Sequence, residues 1–403
     1  MVFEILLIIF ATLGNIKKQY NLITIFVKKF RIMRKITLIL HLFFIICCKA
    51  QVKPNDIPLQ DEVKNYTFET VASGIQTPWG MAWLPDGTLL VTERSGILYQ
   101  IKNGTKTEIK NVPAVYNRGQ GGLLDIVVHP NYAKNGWIYM TYAFTEGDDE
   151  GGNTKLIRAK LIDGSLTQIE TLYKASPNTT KNIHFGSRIV FDKEGFLYFS
   201  AGERGNHFVN PQDITRDNGK IYRLNDDGSI PKDNPFVGQV GAKEAIYSYG
   251  HRNPQGLAIN PFTGDIWEHE HGPQGGDEIN IIKKAANYGW PVVTYGIDYD
   301  GTIISSEKEK PGIENPIYYW LPSIAPCGMA FVTSDRYPTW KGNLLVGSMK
   351  FQYLELVKLK GNEIIGRQKI ATDIGRVRNV VQGPDGYVYI GVEGKGILKI
   401  IPN

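Results

Sequence analysis

A recurring hairpin restricts this chain more than any other feature. Six times, an apolar stretch enters a short turn and leaves it as a second apolar stretch, over residues 80–94, 126–141, 189–200, 257–267, 330–347 and 380–390. Pro85-Asp86-Gly87 and Pro384-Asp385-Gly386 are the clearest turns. Pro presets φ, Asp can bond its own backbone, and Gly accepts φ > 0. A further strand follows at residues 96–101 and 396–400. One such sheet cannot bury its faces alone, whereas several packed radially about an axis can, so the pattern predicts an all-β fold, a six-bladed β-propeller. A pair of β-sandwiches or a solenoid is the competing arrangement. The longer intervals 142–185, 202–250 and 294–325 read as loops at one end of the ring, where binding residues commonly gather.

The 403 residues carry a formal net charge of +5, which would suit a nucleic acid if it were spread over the fold. It is not. Eight of the 45 Lys and Arg, against one of the 40 acids, fall in residues 1–50, leaving 37 basic and 39 acidic side chains and a net charge of −2 for the rest. No broad basic footprint remains, so no nucleic-acid partner is expected. Residues 1–50 read instead as an export signal. Arg34 and Lys35 precede an apolar run from Ile36 to Cys48, and Cys48-Lys49-Ala50 offers small residues for cleavage before Gln51. The run is shorter than the roughly 18 residues a membrane span needs. Met33 is an alternative start, and Cys47 or Cys48 an alternative lipid-attachment site. The expectation is an exported protein whose mature part, 51–403, is a single domain. That part keeps only Cys327, which leaves neither an intramolecular disulfide nor a cysteine metal cluster.

Several polar motifs stand beside the predicted strand ends. His184, in Asn182-Ile-His-Phe-Gly-Ser-Arg188, precedes one strand and Glu203 follows the next, so both fall at the same end of one hairpin. A carboxylate there can hold an imidazole in the tautomer a general base needs; a packed, structural histidine is the plainer reading. Arg252 and Asn253 also precede a strand, where a forked cation suits a carboxylate ligand or a developing oxyanion, and a surface turn is the alternative. The segment His269-Glu-His-Gly-Pro-Gln-Gly-Gly-Asp-Glu-Ile-Asn280 joins a turn that exposes carbonyls to Asp277 and Glu278, an oxygen-rich set suited to calcium. His269 and His271 lack the further ligands zinc requires. Tyr288, in Asn-Tyr-Gly-Trp-Pro, and Asp298 offer more oxygen. Late in the chain come Lys350, Arg376 and Arg378; at strand period two the arginines share a side, where they need water or an anion.

Taken together and in this order, the motifs resemble the soluble sugar dehydrogenases dependent on pyrroloquinoline quinone (PQQ), the glucose/sorbosone dehydrogenase family, and within it the aldose sugar dehydrogenase branch. The resemblance runs from about Trp79 to Ile400. It implies oxidation of an aldose at its anomeric carbon to a lactone, with PQQ and Ca2+ at the top face of the ring. It implies His184 as the base that takes the anomeric hydroxyl proton while hydride moves to the C5 carbonyl of PQQ. Glu203 would orient that base, and Gln120 would lie beside base and substrate. Arg252 and Asn253 would stand on the quinone side, and Lys350, Arg376 and Arg378 would bind the cofactor's carboxylates. The carbonyls of Gly272 and Pro273 would ligate the calcium that bridges to PQQ; Glu278, Tyr288 and Asp298 would hold a second calcium. The implied partners are a sugar and an electron acceptor, quinone or carrier, and a homodimer is left open. Ile183, directly before the base, departs from the acidic residue of glucose-active relatives, so the choice of sugar does not carry over. Two other classes compete: a calcium-dependent lactonase on a similar scaffold, and a cofactor-free propeller that binds glycans or protein.

Overall fold

The computed structural model describes residues 57–146 and 150–403. The export segment, with Met33, Cys47, Cys48 and the expected start at Gln51, lies outside the described residues. All six hairpins form, and their turns use the expected chemistry. Asp86 Oδ1 accepts the Thr88 N–H (3.0 Å) with Gly87 at φ +81°, and Asp385 Oδ1 accepts the Tyr387 N–H (3.1 Å) with Gly386 at φ +81°.

Each hairpin is the inner half of a four-stranded antiparallel blade. Blade one is Pro78–Trp83, Leu89–Glu93, Ile97–Lys102 and Thr105–Glu108; blade two is Leu123–Val128, Trp137–Phe144, Asn153–Ile162 and Ser165–Lys174. Blade three is Ile189–Phe191, Leu197–Ala201, Lys220–Leu224 and Ile246–Tyr249; blade four is Pro254–Ile259, Ile266–Glu270, Asp277–Ile282 and Tyr318–Trp320. Blade five is Pro326–Phe331, Leu344–Ser348, Tyr353–Lys360 and Glu363–Ile370, with Leu59–Gln60 added in parallel at its outer edge. Blade six takes Val377–Gln382, Val388–Val392 and Gly396–Pro402 from the C-terminal end and its outer strand, Tyr66–Ala72, from the other end, pairing Tyr66 with Pro402. The innermost strand of each blade packs on that of the next, and the sixth returns to the first. This is a six-bladed β-propeller.

The three intervals expected to be loops are partly blade. Residues 142–185 contain both long outer strands of blade two, 202–250 contain the outer half of blade three, and 294–325 contain the outermost strand of blade four. Outer strands such as Ser165–Lys174 are largely exposed, so they lack the unbroken apolar run that marks an inner strand. Among the described residues no helix is long and apolar enough to cross a membrane.

The core lies between facing sheets. Leu345 and Leu354 of blade five meet Val377, Val380, Ile390 and Leu398 of blade six, all buried, and each contributes about 1.5–3 kcal/mol. The axis is different, because six inner strands converge there and bring polar groups into a space that excludes most water. Arg188, 4% exposed, stands just before the inner strand of blade three. Its Nη1 donates to Trp79 O of blade one (3.2 Å) and to Asp125 Oδ1 of blade two (3.3 Å), and its Nε to Gln255 O of blade four (2.8 Å). Its Nη2 reaches Cys327 Sγ of blade five (3.5 Å) and Arg378 O of blade six (2.9 Å). One guanidinium from blade three thus touches the other five blades. Toward the far ends of the inner strands a cavity of about 380 Å³ continues along the axis.

Removing Arg188 while Asp125 stays buried should therefore be severe. Arg188→Met is expected to lower the urea-unfolding free energy by about 3–5 kcal/mol. Adding Asp125→Asn should recover part of that loss, and a simple sum of two losses would contradict the assigned role.

Candidate active site

Antiparallel pairing places the start of each inner strand beside the end of the second: Pro254 opposite Glu270, Pro326 opposite Ser348, Val377 opposite Val392. Segments before the one and after the other therefore meet at one end of the ring. Gln120, His184, Arg252, Asn253 and Arg376 arrive by the first route, and Glu203, Gly272, Pro273 and Lys350 by the second. Register shifts at the starts of the inner strands of blades one, two, four, five and six bend the rim at this same end.

His184 is buried and sits at φ +56°, in the left-handed region that non-glycine residues seldom enter. A Cβ on Gly202 would lie 2.1 Å from His184 O, so only glycine lets the chain turn there and bring Glu203 round to the imidazole. Glu203 Oε1 bonds His184 Nδ1, the Glu203 N–H donates to Arg252 O (2.8 Å), and the His184 N–H donates to Gln120 Oε1 (2.7 Å). Four of the expected residues are thus joined. Burial, reinforced by the Arg252 charge, pushes the His184 pKa down to about 4. Burial alone would raise Glu203, but its bond and charge interaction with His184, together with Arg252, hold it below the usual range. The pair is therefore a neutral imidazole on a carboxylate, with Nδ1 protonated and Nε2 basic.

Arg204 was not singled out by the sequence. Buried at φ +63°, it donates to the carbonyls of Gly152 (3.0 Å), Lys181 (2.8 Å) and Ile183, with its guanidinium 3.4 Å from the Phe185 ring centroid. It ties down the segment that carries His184. A single Arg in a Gly-rich loop gives no pattern by which to find it.

Arg252 Nη1 donates to His271 O (3.1 Å) and Gly272 O (2.7 Å), 5.2 Å from the Trp290 ring. Asn253 Oδ1 accepts from Gly186 N–H (3.2 Å) and Gln255 Nε2 (3.1 Å). The other cations gather around the start of blade six. Arg376 Nε meets Glu393 Oε2 (2.5 Å), Arg378 Nε meets Glu393 Oε1 (2.6 Å), and Arg376 Nη1 reaches the carbonyl of Met349, next to the exposed Lys350. Arg94 joins them: burial first and the Arg378 charge second lower its pKa, and it donates to the carbonyls of Gly119 and Gly121 on either side of Gln120. Glu393 and Arg94 were not anticipated, although a signal existed. An acid at or just past the end of the second strand recurs as Glu93, Glu203, Glu270 and Glu393.

The expected calcium ligands divide. Gly272 O already accepts from Arg252, and Pro273 O accepts from Ser323 Oγ (3.3 Å). Glu278, half-buried, lies beside the buried Glu268, Glu270 and Asn280, whose Nδ2 donates to Glu268 Oε2 (3.1 Å) and Glu278 Oε2 (3.5 Å). Burial and the charge of Glu270 push Glu268 and Glu278 well above the carboxylate range. His251, Glu268 and Glu270 can offer atoms within 4.8 Å of one another, and Glu268 Oε1 and Asn280 Oδ1 have no hydrogen-bond partner, so this set fits a cation. The side-chain oxygens of Tyr288 and Asp298 are directed elsewhere. The Tyr288 hydroxyl donates to Ile281 O (2.6 Å), and Asp298 Oδ1 accepts the Tyr299 N–H (2.7 Å) in its own turn. His269 and His271 each set Nε2 on a carbonyl, of Gly328 (3.2 Å) and Pro326 (2.8 Å), not on a shared metal position.

Fold and site together define a propeller with a buried His–Glu pair and a cluster of Lys and Arg side chains at one end. The glucose/sorbosone dehydrogenase family profile matches residues 75–399, and the chain belongs to that family. It is 41% identical over 344 residues to the aldose sugar dehydrogenase YliI of Escherichia coli K12, covering 83% of this chain and 92% of that protein. The crystal structure of the soluble aldose sugar dehydrogenase from Escherichia coli in its apo-form matches with a TM-score of 0.81 at 38% identity, covering 84% of this chain and 100% of that one. The PQQ-bound form of the aldose sugar dehydrogenase from Streptomyces coelicolor matches with a TM-score of 0.69 at 28% identity, covering 86% and 100%.

The lowered His184 pKa has a consequence for stability. Folded His184 titrates near 4 against an ordinary 6.5, so as pH falls from 6.5 to 4 the unfolded chain takes up this proton first and the folded state loses up to about 3 kcal/mol; above 6.5 nothing is lost. Thermal melts at pH 7.5 and 4.5 should show a smaller pH-dependent drop in His184→Gln than in the parent protein.

Proposed function

We propose that this chain oxidises an aldose at its anomeric carbon to a lactone, with PQQ as cofactor and calcium beside it. The observation that carries the reading is the buried, neutral His184 held at Nδ1 by Glu203, at the ring end that also carries Lys350, Arg376 and Arg378. PQQ, when bound, supplies a quinone that accepts hydride. Its three carboxylates match a cation set that a nearly neutral fold would otherwise have no reason to concentrate. His184 Nε2 takes the proton of the anomeric hydroxyl as hydride leaves the same carbon, and Glu203 stabilises the imidazolium that forms. Gln120 fixes the His184 backbone and keeps its amide nitrogen as a donor to a sugar hydroxyl. Arg252 sets a fixed positive charge where negative charge grows, and Asn253, anchored through Oδ1, keeps its Nδ2 donors for the same region.

Calcium would be held by the carbonyls of Gly272 and Pro273 and, separately, by Glu278 with Glu268 and Glu270; at the first place it supplies Lewis-acid polarisation and at the second it neutralises buried carboxylates. Ile183, partly exposed beside the base, presents an apolar contact to the sugar's C–H face. Export to the periplasm or beyond, with a lipid on Cys47 or Cys48 as the variant form, belongs to the same proposal, as does transfer of the electrons to a quinone or a carrier.

The test is PQQ titration of the protein with calcium, followed by dye reduction over aldoses and disaccharides. His184→Ala is expected to bind PQQ like the parent protein and to lose turnover by about 10²–10⁴-fold. The acid limb of kcat/KM in the parent should fall well below pH 6.5, because the base is already neutral there. Folded protein that takes up no PQQ would sink the reading.

A further inference from the structure

Glu393 follows the second strand of blade six, and both its oxygens are taken by the chain's own cations. Oε2 accepts from Arg376 Nε (2.5 Å); Oε1 accepts from Arg378 Nε (2.6 Å) and also pairs with Arg378 Nη2. On Arg378 this is the Nε/Nη2 edge, one of the two forks by which a guanidinium grips a carboxylate with two parallel bonds. Arg94 stands within electrostatic reach of Arg378 and Glu393, and Lys350 has no acidic partner among the described residues. Four cations and one carboxylate leave a net charge of +3, equal and opposite to three ligand carboxylates. Without Glu393 the guanidinium groups would face one another unscreened.

We propose that Glu393 is a resident counter-anion of this set: a polycarboxylate ligand engages Arg376 and Arg378 in competition with it, so the Glu393 charge weakens ligand binding while it stabilises the unliganded arrangement. The inference rests on the reading that these cations receive the carboxylates of PQQ. Its distinguishing signature is electrostatic. Neutralising the side chain without changing its shape should tighten binding at low salt, and the gain should fade as salt screens the half-exposed cluster.

The experiment compares the parent protein with Glu393→Gln and Glu393→Asp, titrating PQQ and, separately, benzene-1,3,5-tricarboxylate. Binding is followed by tryptophan fluorescence, since Arg378 lies 5.2 Å over the Trp79 ring. Glu393→Gln is expected to bind both probes about 5-fold more tightly at low ionic strength. That difference should shrink in about 0.5 M salt, where the Debye length is about 4 Å, and the melting temperature without ligand should be lower than in the parent. Glu393→Asp should stay close to the parent. Equal or weaker binding by Glu393→Gln, or a gain indifferent to salt, overturns the inference. If PQQ binds and Glu393→Gln changes nothing, the cofactor reading stands and this one fails. If the tricarboxylate binds and tightens while PQQ does not bind, the counter-anion stands and the cofactor reading fails. Folded protein that binds neither probe defeats both.

Discussion

A ring of six sheets brings backbone polar groups to its axis whether or not anything is there to satisfy them, and Arg188 is what satisfies them. Burying a guanidinium is costly on its own, but this one is offset by Asp125 and by carbonyls from blades one, four and six. The geometry of the functional end follows from the same residue. Arg188 lies four positions after His184, bonds Gln255 two positions after Asn253, and bonds Arg378 itself. One side chain therefore fixes the relative placement of His184, Asn253 and the strand that carries Arg378.

The site divides into an acid–base half, carried by blades three and four, and a cationic half on blades five, six and one. They are joined through the loop that holds Gln120. Arg94 grips the carbonyls on either side of Gln120, and Gln120 in turn accepts the His184 N–H. The positive φ of His184 and of Arg204 is the kind of strain that persists only where surrounding bonds over-determine it. Here the clamp of Arg204 on three carbonyls does so. Rigid placement matters because a base acts only within hydrogen-bond reach of the proton it removes.

Much of this was legible in the sequence, for identifiable reasons. Inner strands are buried on both faces and announce themselves as apolar runs, and Asp-Gly turns give their hairpins away. His184 and Glu203 could be placed together because one precedes a strand and the other follows its partner. The outer strands were not legible: Ser165–Lys174 mixes exposed and buried positions, and Tyr66–Ala72 pairs with a strand near the opposite end of the chain. Arg188, Arg94 and Glu393 were missed because their partners arrive through ring closure, not through local spacing. The carboxylate cluster was half seen. Glu278 was picked out, but its neighbours depend on register, which sets Glu268 opposite Asn280 and Glu270 opposite Glu278.

Blade six is assembled from strands that precede and follow the other five blades, and that has a consequence in time as well as in space. Tyr66–Ala72 leaves the ribosome before the strands of blades one to five, yet its partner Gly396–Pro402 follows them. Until then one strand waits unpaired and five blades stand as an open arc with two bare edges, the sort of species that associates with copies of itself. Arg376, Arg378 and Glu393 all belong to that final blade. The cationic half of the site thus takes shape only after the five preceding blades have been made, as the circle closes.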